Sequence, residues 1–162
     1  MPTSDPTPSV ERQDLTLNEV ATHVLEECRT VVPGMQALFG FQLIAVFSAA
    51  FKEDLTHTEK VIHLVAILLV TVAIALVMAP TALHRQSEPM SVSQRFISTS
   101  SRLLMASMVP LAVGIGLDVY IIARVILGTS TGAAVIAALL LLVFGVFWRL
   151  IPQAARRRRS IQ

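Results

Sequence analysis

Three residues inside long apolar runs have side chains that could do chemistry. They are Asp118, His63 and Gln42. A carboxylate beside an imidazole can relay protons, and an ionisable group inside a membrane is expensive enough to mark a functional site by default. We therefore take these three residues as a candidate ion or proton site. In the structural alternative, Asp118 pairs with Arg124 or faces water, and His63 lies at the interface. Gln42 would then bond a neighbouring helix.

The elements that must position these residues are membrane helices. The 162-residue chain is 54% hydrophobic and only 15% charged, and its mean hydropathy is +0.67. A soluble domain has about a quarter charged residues, so this composition indicates an integral membrane protein. Four apolar runs each have about the 20 residues that a bilayer-spanning helix needs. They are 31–51, 61–82, 103–122 and 132–151. The predicted fold is an all-α, integral membrane four-helix bundle over 31–151.

An amphipathic surface helix is predicted before the first span, over residues 15–30. Apolar residues recur there at helical spacing, and Thr16 with Glu19 has the pattern of a capping box that starts a helix. The proline-rich segment 1–14 is predicted to be a disordered cytoplasmic tail. Pro33 and Gly34 would then form a corner between the surface helix and the first span.

Two further capping boxes are predicted before later spans. Thr56 with Glu59 would start the second span, and Ser91 with Gln94 would start the third. Counting 1.5 Å per residue from the cytoplasmic span ends places Gln42 at a depth of roughly 14 Å, Asp118 at about 22 Å and His63 at about 27 Å. His63 and Asp118 therefore lie on the outer side, where they could meet. The sequence leaves open whether they do.

The basic residues predict the orientation, because short cytoplasmic loops are rich in Lys and Arg. With four spans, ten Lys and Arg residues lie on the side of the termini and three on the other side. We therefore expect both termini in the cytoplasm. The basic cytoplasmic tail 152–162 holds four consecutive arginines, which are attracted to anionic lipid.

Charged residues on the cytoplasmic side form a predicted structural cluster. The cluster consists of Glu26, Glu27, Arg29, His84 and Arg85. We expect these charges to fasten the surface helix to the bundle.

The usual signatures of enzymes are absent from the sequence. It contains no HExxH, paired CxxC, GxSxG or phosphate-binding glycine loop. His57 and His63 are six residues apart, a spacing that fits one helical face poorly. We therefore expect no enzyme activity, no catalytic residue, no cofactor, no bound metal and no nucleic-acid partner.

Two stretches of the chain resemble a family of small, uncharacterised four-span bacterial membrane proteins. They are ECRTVVPGMQALFGFQL at 27–43, which contains PGxQxLF, and AP…HR at 79–85. The resemblance extends over roughly residues 15–150, and some members are labelled sodium:proton antiporter by automatic transfer. It implies a multi-pass protein of the bacterial cytoplasmic (inner) membrane, without known catalytic residues.

Two classes of function follow. The first is a structural or accessory membrane protein that forms a homo-oligomer or binds a larger membrane protein complex. The second is a proton or sodium ion transporter of antiporter type. The second is weakened because the spans show no inverted repeat or paired broken helices, and because the inner half lacks an embedded carboxylate. We favour the accessory role.

Overall fold

The computed structural model describes residues 16–87 and 93–150, which form helices and short turns with no strand among them. The predicted all-α class is confirmed for this part of the chain. The helices are α1 (Leu17–Ala45), α2 (Ala49–Glu53), α3 (His57–Ser87), α4 (Gln94–Leu127) and α5 (Ser130–Gly145), and a π-helical turn (Val146–Leu150) follows α5. The predicted tails 1–14 and 152–162 lie outside the described residues.

Two helices start as the capping pattern predicts. The Thr16 side chain accepts a hydrogen bond from the Glu19 amide, and the Glu19 carboxylate accepts one from the Thr16 amide at 2.7 Å. Thr56 and Glu59 make the same pair of contacts at the start of α3. Both predicted boxes are therefore confirmed.

The third predicted box is wrong. Gln94 is the first residue of α4, and the hydroxyl of Ser93 caps the helix by accepting from the Phe96 amide at 3.1 Å. Ser91 lies outside the described residues. The box pattern favoured Ser91, which has Gln94 three residues later, whereas Ser93 is followed at that spacing by Phe96 and caps the helix through its hydroxyl alone.

The corner predicted at Pro33 and Gly34 is also wrong, because α1 runs through both residues without interruption. A left-handed turn at Gly34 would need a positive φ, and within the described residues only Gly128 has one. Pro33 has no amide hydrogen, so the Arg29 carbonyl loses its usual donor within the helix, but the helix continues on both sides of the proline.

Three helices are long and apolar enough to cross a membrane, namely His57–Arg85, Gln94–Leu127 and Ser130–Trp148. They correspond to the predicted spans 61–82, 103–122 and 132–151. The first predicted span, 31–51, is not among them. Its helix ends at Ala45, and Gln36 and Gln42 make its second half more polar.

The centre of the bundle is the contact between α3 and α4, which is the most extensive between any two helices described. Gly114 makes this close approach feasible, because a Cβ atom there would lie 3.0 Å from Val70 Cγ2 and 3.2 Å from the Ala66 carbonyl oxygen. The helix α1 packs mainly on α3, and α5 packs on α4. Most of the apolar surface of α5 remains exposed.

One apolar cluster holds α1 against α3. We call it the core end, and its buried members are Cys28, Met35, Ala73 and Val77. Its position fixes the directions of the two helices, because the middle of α1 meets the second half of α3. The last turn of α1 must therefore lie beside the beginning of α3.

Candidate functional site

Three helices bring the predicted site residues together at the other end of the bundle. Gln42 lies in the last turn of α1, His63 in the second turn of α3, and Asp118 in the second half of α4. We call these three residues the polar network. Gln42 and His63 are buried, and the Asp118 side chain is 16% exposed.

Every pair in the polar network is in direct contact. The Gln42 side chain donates from Nε2 to Asp118 Oδ2 at 2.6 Å. His63 Nδ1 lies 3.0 Å from Asp118 Oδ1, and His63 Nε2 lies 3.0 Å from the backbone carbonyl oxygen of Gln42. Both carboxylate oxygens and both ring nitrogens therefore have a partner.

One polar atom of the network has no partner among the described protein atoms. It is Gln42 Oε1, which is buried, as is the whole residue at 4% exposure. An unpartnered buried amide oxygen costs free energy, about 1–3 kcal/mol. The amide of Gln42 is therefore oriented by its bond to Asp118, and this leaves the oxygen without a partner.

An apolar cavity of about 500 Å³ adjoins the polar network. Leu38, Ile122 and Val125 contribute to its walls, and Gln42, His63 and Asp118 lie at one side. Phe51 of the short helix α2 also lines it, with its ring centroid 5.3 Å from that of His63 in an edge-on arrangement. The network therefore has a largely apolar environment, in which a net charge is costly.

A second polar contact lies beside the network. Arg124 of α4 forms an ion pair with Glu59 of α3, whose side chain is only 4% exposed, and it also donates to Ser130 Oγ at the start of α5. The structural alternative in which Asp118 pairs with Arg124 is therefore wrong. We call this contact, together with the polar network, the network end of the bundle.

The predicted charge cluster is not joined by ion pairs in the part of the chain that the structure describes. Glu26 lies 3.8 Å from His23, one turn earlier on α1. The side chains of Arg29 and Arg85 are exposed, while the His84 ring packs against Phe96. The apolar residues of the core end hold α1 against α3, a role predicted from the sequence for these charges.

Sequence reasoning missed two residues of the network end. Glu59 was recognised only as a capping residue, although its carboxylate also binds Arg124. Phe51 was placed in the first span, whereas it belongs to α2 and its ring packs edge-on against that of His63. A signal for Glu59 was its spacing four residues before His63, which puts both on the face of α3 that packs on α4.

The arrangement can hold a proton between an imidazole and a carboxylate. It does not resemble a metal site, and within 16–87 and 93–150 no group of three or more His, Cys, Asp and Glu residues could hold a metal ion. The role of Asp118, His63 and Gln42 in binding an ion or proton stays a prediction.

Comparison with known proteins gives one match. The sequence profile of a family described as a family of unknown function, DUF6328, matches residues 10–152. No curated protein and no solved structure matches the chain. The match includes every described residue of both the network end and the core end.

Proposed function

Because the chain belongs to the DUF6328 family of unknown function, its own residues must indicate its role, and we propose a small accessory membrane protein. In this proposal α1 crosses the bilayer beside the three candidate spans, which gives a four-helix bundle. The 29 residues of α1 make a helix of roughly 43 Å, which exceeds the hydrocarbon thickness. Both termini then face the cytoplasm of a bacterial cell, as the distribution of basic residues predicts.

One observation carries the accessory role: the polar groups form a closed network at one end of the bundle. Beyond it the buried residues of α3 include Ala66, Val70, Ala73 and Val77, which are at most 2% exposed. A carrier needs a polar route across the bundle, and this apolar face of α3 offers no polar side chain beyond the network. We infer that the protein acts by contact with other membrane components.

The contact is self-association or binding to a larger membrane complex. The helix α5 supports this, because it is apolar on all sides and packs mainly on α4. A cysteine introduced at the exposed residue Leu142 should form cross-links in native membranes. A cysteine at Val61, similarly exposed on α3, is the matched control.

Extraction in mild detergent tests the accessory role itself. We expect the protein to elute with copies of itself or with another membrane protein, and cross-linking from Leu142 should yield the same species. Recovery of monomer alone, with equal and weak cross-linking from both positions, would contradict the proposal.

The polar network favours a second function, proton or sodium transport. A carrier of this kind should show flux in liposomes that Asp118→Asn abolishes. The matched control is Asp54→Asn, because Asp54 lines the same cavity without contacting His63. Flux that needs Asp118 but not Asp54 would establish transport. Absence of flux from folded wild-type protein would contradict the transport function.

A further inference from the structure

We propose that the polar network is a binding site for one proton and that it excludes sodium. The inference goes beyond the accessory role, because it depends on the contacts of Gln42, His63 and Asp118 and holds whether or not an ion crosses the membrane. It also separates the two ions that the transport hypothesis leaves open.

The hydrogen-bond partners determine where protons must be. A carbonyl oxygen can only accept, so the contact between His63 Nε2 and the Gln42 carbonyl requires a hydrogen on Nε2. Gln42 is among the last four residues of α1, whose carbonyls lack intrahelical partners and attract positive charge. This helix end fixes the imidazole with Nε2 as a donor.

A second hydrogen must then lie between His63 Nδ1 and Asp118 Oδ1, which are 3.0 Å apart. Without it, a nitrogen lone pair would face a carboxylate oxygen at hydrogen-bond distance. The hydrogen belongs to an imidazolium beside a carboxylate or to a carboxylic acid beside a neutral imidazole. Either way the pair has no net charge, and loss of the proton would leave one negative charge beside an apolar cavity.

The same contacts exclude a sodium ion. Hard cations are bound by several oxygen atoms, but both Asp118 oxygens are already engaged in hydrogen bonds with nitrogen atoms of Gln42 and His63. The Gln42 backbone oxygen faces His63 Nε2. Only Gln42 Oε1 is without a partner in the network, and one oxygen is too few ligands.

The neighbouring charges leave the proton site largely independent. The last turns of α1 carry no charged residue after Arg29, and α5 carries none. On α3 and α4, Glu59 and Arg124 bind each other, and Lys60 donates to the Lys52 carbonyl. Three more titratable groups, those of Lys52, Glu53 and His57, are exposed on α2 and at the start of α3. Asp54, the residue after α2, is the neighbouring carboxylate that lines the cavity of the network.

The bound proton joins three helices. It links His63 of α3 to Asp118 of α4, while the same imidazole and carboxylate hold Gln42 of α1. We expect loss of the proton to weaken the attachment of α1 to α3 and α4 at this end. The core end is unaffected, because its contacts contain no titrating pair.

Nuclear magnetic resonance of the full chain, labelled with ¹⁵N in its four histidines and placed in lipid nanodiscs, tests the proposal. The His63 signal is identified by its absence in His63→Gln. At neutral pH we expect either an imidazole protonated on both nitrogens or, by infrared spectroscopy, a protonated Asp118 carboxyl that Asp118→Asn removes. In Asp118→Asn the shared hydrogen should be absent, and His63 should carry a hydrogen on Nε2 alone.

The controls separate the network from general surface charge. Asp54→Asn should leave the ¹⁵N signals of His63 unchanged, and so should replacing potassium by sodium. A wild-type His63 protonated only on Nε2 beside an ionised Asp118 at neutral pH would overturn the proposal. Competition between sodium and the proton would overturn the exclusion, and the wild-type spectra decide both points even if Asp118→Asn fails to fold.

Discussion

The two ends of the bundle are held together by different chemistry. At the network end, α1, α3 and α4 meet through side-chain hydrogen bonds and one ion pair. At the core end, α1 and α3 meet through buried apolar side chains, including Met35 and Val77, while the arginines nearby remain exposed.

This difference indicates what each end contributes. In the bilayer that we propose around the bundle, lipid and protein are equally apolar, so apolar packing gives close contact but little preference for one partner helix. Hydrogen bonds and ion pairs require particular partners at particular positions. We infer that the network end determines which helices pair and in what register, and that the core end adds packing energy.

The largest effect is expected at the ion pair of the network end. Arg124→Ala leaves the Glu59 carboxylate buried without its positive partner. We expect a loss of about 3 kcal/mol in the free energy of unfolding, the low end for a broken buried pair, because a third of the Arg124 side chain is exposed to screening. Thermal unfolding in detergent, followed by circular dichroism, measures it.

Two variants test the physical reason. Arg102→Ala removes an exposed arginine of the same helix and should change stability little. Glu59→Gln combined with Arg124→Gln removes both charges and should recover part of the loss. Equal melting temperatures for Arg124→Ala and Arg102→Ala would contradict the importance of the ion pair.

A smaller effect is expected at the core end. Met35→Ala removes a side chain that is 4% exposed and packs in the apolar cluster. We expect a loss of about 2 kcal/mol, the low end for such substitutions, because in the proposed membrane setting the side chain leaves lipid and not water when the helices associate. Met105→Ala, at a methionine that is 58% exposed, is the matched control. A Met35→Ala effect larger than that of Arg124→Ala would reverse the comparison of the two ends.

Gly114 tests the contact between α3 and α4, which lies between the two ends of the bundle. A Cβ atom in Gly114→Ala would lie 3.2 Å from the backbone oxygen of Ala66, which cannot move without displacing α3. We expect a loss of about 1 kcal/mol in the free energy of unfolding. The control Gly40→Ala has no atom within 4 Å of the added carbon and should be neutral or slightly stabilising, because alanine favours a helix. Equal stability of the two variants would show that α3 and α4 can separate without cost.

The sequence was sufficient where a local rule governs the structure. The capping boxes at Thr16 and Thr56 depend on residues three positions apart, and three of the apolar runs became helices long enough to cross a membrane. The candidate residues of the site were also identifiable, because Asp118, His63 and Gln42 are polar residues in apolar surroundings.

The sequence was insufficient where the structure depends on contacts between helices. Arg124 had two carboxylates within reach, and the packing of α3 on α4 gives it Glu59 and not Asp118. The corner at Pro33 failed for a related reason. A proline can end or continue a helix, and here α1 continues to the position where Gln42 meets Asp118.

The smallest effect concerns the start of α1, beyond the core end. Hydrogen bonds from the Thr16 amide and then from its hydroxyl hold the pKa of Glu19 below its usual value. A folded pKa below the unfolded value, about 4.3, means that the stabilisation of the helix start by the Glu19 carboxylate is present above that pH and is lost as the pH falls through the folded pKa.

The protection of the first-turn amides from hydrogen exchange, corrected for intrinsic rates, should therefore decrease on acidification. Glu19→Gln keeps an acceptor but cannot titrate, so its protection should not change over this range. The same acid-induced decrease in both proteins would assign the pH dependence to another group and leave the start of α1 independent of the Glu19 charge.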